Sequence, residues 1–383
     1  MDTDYPPLFE VRNSLRVKWY RCAIDPIKLR ALSRRSDLKG GLQAGGHLAL
    51  FISSGAAVYY FWAQEIWFGL ALAVFVHGTI ASFFTGVAPH ELGHGTVFKT
   101  KALNRIFLYL FSFISWWDPF DYSCSHTYHH RYTLYPTGDR ENVLPLDPLL
   151  NPLLIIQLLT MNVFTQPGRN FGKGGILSAI FVTLKSAFGI VGSTNNPSQE
   201  WLQALHIDQP TVARKSMLWS RLLLALHGVV MGGAIISGQW VLILIINFPS
   251  FVANWAAYGV GLTQHCGLRD AVPDFRKNSR SITLPFLFEF LYWRMNWHIE
   301  HHMFAGVPCY NLKKVAREIA VDMPPPPTVW GAWRDMRDTW NRQKRDPNYQ
   351  FDTNLPTNPA SSHRDAPSIL ESSIGELAPE QLK

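Results

Sequence analysis

The chain has 383 residues, with 35 Lys and Arg against 28 Asp and Glu, a net charge of +7 and 47% hydrophobic residues. That length allows one large domain or two ordinary ones. No aromatic-plus-basic pattern of a nucleic-acid module accompanies the positive charge. The four cysteines fall in no CxxC spacing, which points away from a disulfide framework and a structural zinc site.

Residues 1–43 read as a basic cytosolic segment, partly helical and lying along the membrane surface. Nine basic residues fall in the first 39, and no apolar signal core is present. Two long apolar runs follow, AGGHLALFISSGAAVYYFWA at 44–63 and IWFGLALAVFVHGTIASFFTGVA at 66–88. Each reaches the roughly 20 residues that cross a hydrocarbon core of about 30 Å. Residues 47–88 contain no Lys or Arg. The spacing therefore predicts a hairpin of two spans, with a far-side turn at Gln64 and Glu65 free of positive charge and both ends on the cytosolic side.

The stretch VAPHELGHGTVF at 87–98 then presents His90, Glu91 and His94. Alone, it is the H-E-x-x-H pattern of a zinc peptidase. Pro89 is expected to bend the helix there. LNRIFLYLFSFISWW at 103–117 is apolar but too short to cross, and reads as a re-entrant or interfacial helix with Trp116 and Trp117 at headgroup level. HTYHH carries His126, His129 and His130. The apolar runs 149–164 and 176–191 are taken as interfacial or cap helices, because crossing would carry Arg169 and Lys173 to the wrong side.

A second Lys- and Arg-free window covers 222–268. It holds most of spans three and four, MLWSRLLLALHGVVMGGAIIS at 217–237, with Arg221 snorkelling near its start, and WVLILIINFPSFVANWAAYGV at 240–260. His265 follows in TQHCG, and His298, His301 and His302 lie in HIEHH. MPPPPT at 323–328 reads as a stiff connector. The expected organisation is a basic segment at 1–43, a membrane domain with a cytosolic cap at 44–345, and a disordered polar tail at 346–383. The fold class is all-α: four transmembrane helices as two hairpins, plus a cytosolic helical cap carrying the histidines.

Of 14 histidines, nine fall into these clusters. Positions i, i+3 and i+4 share a helix face, so each cluster is expected to aim its rings one way. His47, His77, His206, His227 and His363 are read as ordinary hydrogen-bonded histidines. Nine imidazoles exceed what one ion coordinates and suit two at four to five ligands each. Imidazole alone does not choose among iron, copper and zinc.

H-x-x-x-H, H-x-x-H-H, a histidine after the last span and a final H-x-x-H-H together resemble the membrane fatty acid desaturase superfamily, over about residues 45–320. The resemblance implies a di-iron centre held by His90, His94, His126, His129, His130, His265, His298, His301 and His302. It also implies O2 as co-substrate and desaturation of a fatty acyl chain, as a lipid or thioester. His265 is the weakest match, since the family varies there and sometimes uses a water held by asparagine. Asn254 and Asn296 are the nearby amides. Carboxylates expected to orient imidazoles are Glu91, Asp118, Asp121 and Glu300, although Asp118 and Asp121 equally suit a helix-capping turn. No fused haem, flavin, dinucleotide or iron–sulfur motif is visible, so a separate b-type cytochrome, or a ferredoxin with its reductase, is expected to supply two electrons. The expected location is the endoplasmic reticulum membrane in a eukaryote or the inner membrane in a bacterium. The alternatives are a hydroxylase, ketolase or decarboxylase of the same superfamily and, more remotely, an intramembrane zinc peptidase or a metal transporter.

Overall fold

The computed structural model describes residues 5–141, 150–165, 174–191 and 199–356. Among these residues the chain is helical, with isolated bridges and no β-strand. The basic segment forms α1 (Leu8–Ser14) and α2 (Pro26–Leu32), then α3 (Asp37–Gly40). Through a π turn at Gly41–Gly45, α3 continues into α4 (Gly46–Ala63). The segment does not stand apart from the rest: Leu8 and Val11 are buried in a core shared with Trp201 and Leu205.

After a tight turn at Gln64 and Glu65, α5 (Trp67–Ser82) packs back along α4. The bend before HELGH occurs at Gly86, which adopts φ 72°, and not at Pro89. A residue without Cβ takes this left-handed conformation cheaply. Pro89 then sits in the first turn of α6 (Val87–Gly93), where its missing N–H would have had no helical partner anyway.

Next comes α7 (Lys101–Ile114), amphipathic and seated on the core by Leu108, Phe111 and Ile114. Trp116 corrects the headgroup expectation. It is only 7% exposed, stacks on His227 and donates from Nε1 to the Asn247 carbonyl at 2.6 Å. α8 (Pro119–Tyr132) starts at Asp118, whose side chain accepts from the Phe120 and Asp121 N–H groups.

The two ambiguous runs become α9 (Pro152–Leu159) and α10 (Ile176–Ala187). At 1.5 Å per residue they extend about 12 and 18 Å, short of the hydrocarbon core. α11 (Gln199–Asp208) leads into α12 (Pro210–Ile236), 27 residues long. Arg221 does not snorkel freely, because its Nε donates to the Ala187 carbonyl at the end of α10.

The fourth apolar run is not one helix. It passes through a π turn (Ile243–Asn247) and a 3-10 turn (Pro249–Phe251) before α13 (Trp255–Gly261). Pro249 cannot donate to a continuing helix, and Ala253 has φ 44°. Asn247 is drawn sideways, its amide donating to His227 Nδ1 and to the His227 carbonyl. Two helical stretches are long and apolar enough to cross a membrane: Trp67–Gly93, which is α5 and α6 joined across the Gly86 bend, and Pro210–Ile236, which is α12.

The remaining helices are α14 (Phe275–Asn278), α15 (Phe286–Leu291), α16 (His298–Met303), α17 (Cys309–Glu318) and α18 (Val329–Gln343). The start of the expected tail is ordered: Phe351 N–H donates to the Gly267 carbonyl, and Asp352 pairs with Lys277. Residues 357–383, including His363, lie outside the described residues.

One apolar core joins Leu92, Phe98, Phe111, Trp293, Ile299, Met303 and Leu312. A second joins Trp116, Phe120, Tyr128, Trp201, Val212 and Trp219. The first holds α6, α7, α16 and α17, and the second holds α1, α8, α11 and α12. The histidines of α8 and α16 meet where these two cores adjoin.

Candidate metal centre

The nine clustered histidines come together as two adjacent groups. His90, His94, His126, His130 and His301 form one, and His129, His265, His298 and His302 the other. Within each group one potential ligand atom per residue lies within 4.8 Å of all the others. The groups touch: the His130 and His302 rings stack at 4.4 Å between centroids.

The division cuts through two of the sequence clusters, contrary to the expectation that each aims one way. In α8, His126 and His130 join the first group and His129 the second. In α16, His298 and His302 join the second group and His301 the first. Helical geometry explains it. At 3.6 residues per turn, a residue three positions on lies about 60° to one side, and one four positions on about 40° to the other. The adjacent pair in H-x-x-H-H therefore diverges by about 100°, so one short helix serves two centres.

The donor chemistry fits metal ions. His90 Nε2, His94 Nε2 and His126 Nε2 are buried without a hydrogen-bond partner. Others face one another: His265 Nε2 lies 2.8 Å from His298 Nε2, and His301 Nε2 lies 3.1 Å from His130 Nε2. Convergent, unprotonated ring nitrogens are what a cation requires. Burial pushes His126, His130, His298, His301 and His302 well below the ordinary imidazole value, His94 down to about 4 and His265 to about 3. These rings are neutral and ready to bind.

Several outward nitrogens are held by partners, which orients the rings. His90 Nδ1 lies 2.9 Å from Glu91 Oε1, and the same oxygen is 3.5 Å from His301 Nδ1. His129 Nδ1 donates to Asp139 Oδ2 at 2.8 Å, and His265 Nδ1 to the Asn278 carbonyl at 2.8 Å. His302 Nδ1 donates to Thr133 Oγ1 at 3.2 Å, since that hydroxyl already gives its proton to the His129 carbonyl. Burial works against a charge on His129, but the charge and hydrogen bond of Asp139 overcome it and raise the group.

Among the expected supporting residues, Glu91 thus adjoins two imidazoles. Glu300 instead accepts from Ser281 Oγ at 2.5 Å, and that hydroxyl accepts from the Ile299 N–H. Asp118 and Asp121 do not bond the clustered histidines. Both accept from Ser216 Oγ, at 2.5 and 2.9 Å, and Asp121 Oδ1 also takes His206 Nε2 at 2.8 Å. Asn296 donates to the Ile282 carbonyl, and Asn254 faces the neighbouring cavity. Neither amide stands in for His265, which reaches the second group itself.

Sequence reasoning missed Asp139, Glu141, Thr133 and the Asn278 carbonyl; Glu141 lies 3.6 Å from His126 Nδ1. A carboxylate shortly after HTYHH, in TGDRE, was the one visible signal. His47, His77, His206 and His227 are hydrogen-bonded elsewhere, as their scattered positions suggested. Cys124 and Cys266 are buried in separate apolar clusters.

A cavity of about 460 Å³ reaches the histidines. His90, His126, His129, His265 and His298 line one end, and Leu158, Val182, Met217 and Leu223 line its apolar course. Two adjoining histidine groups that could each hold a metal ion thus open on a mostly apolar cavity. Residues 65–333 match the fatty acid desaturase family, and the chain belongs to that family. Membership makes it an oxidoreductase. No curated protein sequence matches the chain.

Proposed function

We propose that the protein is an integral membrane di-iron oxygenase that desaturates a fatty acyl chain, using O2 and two electrons from a separate donor. The observation that supports this best is the division of nine histidines into groups of five and four at the end of a mostly apolar cavity. A peptidase reading of HELGH would use two of these rings and leave seven converging without purpose.

In this reading the apolar runs form four spans as two hairpins, with the helical cap and both termini in the cytosol. The chain resides in the endoplasmic reticulum membrane in a eukaryote, or the inner membrane in a bacterium. The electron donor is a b-type cytochrome, or a ferredoxin with its reductase.

His90, His94, His126, His130 and His301 would hold one iron, and His129, His265, His298 and His302 the other. The pair of irons would supply oxygen activation strong enough to attack an unactivated methylene, which no side chain can do. The protein's own residues set the conditions. Asp139, Asn278 and Thr133 fix the orientation of three rings through Nδ1. The apolar wall of Leu158, Met217 and Leu223 binds the chain and keeps water from it. Trp117 and Tyr122, packed edge to face at 5.1 Å, narrow the approach beside His126. Glu91 is a supporting residue and not a peptidase base.

Expression in a host with a reductase system, followed by mass profiling of its lipids, tests this. A new product lighter by two hydrogens supports desaturation. One heavier by an oxygen assigns the protein to the hydroxylases of its superfamily. His129→Ala should abolish the product while leaving membrane insertion intact.

A further inference from the structure

The cavity has an open end, and its place names the source of the substrate. Among the described residues lining it, three are exposed: Gly189, Ile190 and Arg214. Gly189 and Ile190 follow the end of α10, and Arg214 lies in the second turn of α12. These two helices pack closely against each other.

The surroundings of this mouth are apolar. Leu177, Phe181, Leu184 and Phe188 stand exposed along one stripe of α10, at helical spacing, and Phe188 is 77% exposed. Leu218 and Leu222 of α12 are exposed beside them. Such a stripe is costly in water and favourable against acyl chains. Positive charge is carried by the same two helices. Lys185 lies over the Phe181 ring, Arg221 holds the Ala187 carbonyl, and Arg214 on the rim makes no ion pair among the described residues. The cavity itself is lined mostly by apolar side chains such as Leu158, Val182, Met217 and Leu223. An anion is attracted to Arg214 on the rim, whereas a hydrocarbon chain can continue towards the histidines.

We infer that the cavity opens sideways at the bilayer surface between α10 and α12, and that Arg214 pairs with the headgroup phosphate of an anionic phospholipid whose acyl chain enters tail first. This rests on the membrane-enzyme reading above and adds to it the substrate's carrier. The lipid reaches the site from within the bilayer and not as a soluble thioester.

The test is photolabelling of the full-length protein in lipid nanodiscs. The probes are a phosphatidylglycerol and a phosphate-free diacylglycerol bearing the same diazirine-tagged chain. Labelling of peptides from 116–126 and 213–223 is then read by mass spectrometry. The phosphate-bearing probe should label these peptides roughly tenfold more than the phosphate-free one, as for one charge-assisted contact. Arg214→Gln should remove that preference and Arg214→Lys should keep it, with unchanged melting in all three proteins. Equal labelling by the two probes, or a preference that survives Arg214→Gln, overturns the headgroup assignment. Displacement of the label by water-added acyl-CoA but not by unlabelled phosphatidylglycerol overturns the lateral route. Iron content and lipid profile of the unaltered protein report separately on the enzyme reading, so the two can fail independently.

Discussion

The His129 ring is held from one side by a buried carboxylate, and its partner is specific: Asp139 Oδ2 accepts from both His129 Nδ1 and the Leu134 N–H. Removing that acceptor leaves the ring free to rotate out of the second group. Asp139→Ala should lower metal affinity by about 10- to 100-fold, read as loss of about half the bound metal after mild chelation. Asp118 carries a second prediction. Burial, then the neighbouring Asp121, pushes it up to about 7, well above its value of about 3.9 in an unfolded chain. The native state therefore holds a proton that the unfolded state lacks, and stability falls as pH rises from about 4 through 7. Asp118→Asn keeps the capping oxygen without the charge. It should raise the melting temperature at pH 8 and change it little at pH 4, measured in detergent. At this scale the clustering of the histidines was legible because H-x-x-x-H and H-x-x-H-H are periodic. Asp139, ten positions after His129, sits on a turn with no period to announce it.

α8 and α16 each feed both histidine groups from one short helix, a consequence of the divergence between i+3 and i+4. That pattern was present in the sequence, though reading i, i+3 and i+4 as one face concealed it. The fourth apolar run misled for another reason. Hydropathy counts residues, whereas Pro249 and the sideways bonding of Asn247 decide whether they stay helical. α5 packs so closely on this broken segment that a Cβ at Gly78 would lie 2.4 Å from the Val252 carbonyl oxygen. Gly78→Ala should cost about 1–3 kcal/mol through that overlap, seen as a lower melting temperature and reduced yield. Gly232, within α12, has nothing within 4 Å of the added atom. Gly232→Ala should be neutral, or stabilising by up to about 1 kcal/mol. Equal effects at the two sites would show that helix propensity governs here and packing does not.

The molecule as a whole joins two apolar cores whose boundary carries the imidazoles, with apolar helices extending away from them. The net charge of +7 and the two windows free of Lys and Arg belong to this scale and were legible in the sequence, while the four-span topology read from them stays part of the proposal. Ordering of 346–356 was not legible, because a polar, proline-rich composition does not reveal that Phe351 finds the Gly267 carbonyl after His265 and Asp352 finds Lys277 on α14. If the apolar helices cross a bilayer, the protein should stay with membranes through an alkaline carbonate wash and leave them only with detergent. The central claim is the pair of metal sites, and quantitative metal analysis of detergent-purified protein tests it most directly. The account predicts roughly two irons per chain: two ions because nine imidazoles in two groups exceed one coordination sphere, and iron because that is the metal of the proposed reaction. One stoichiometric zinc per chain, with no iron, would contradict it.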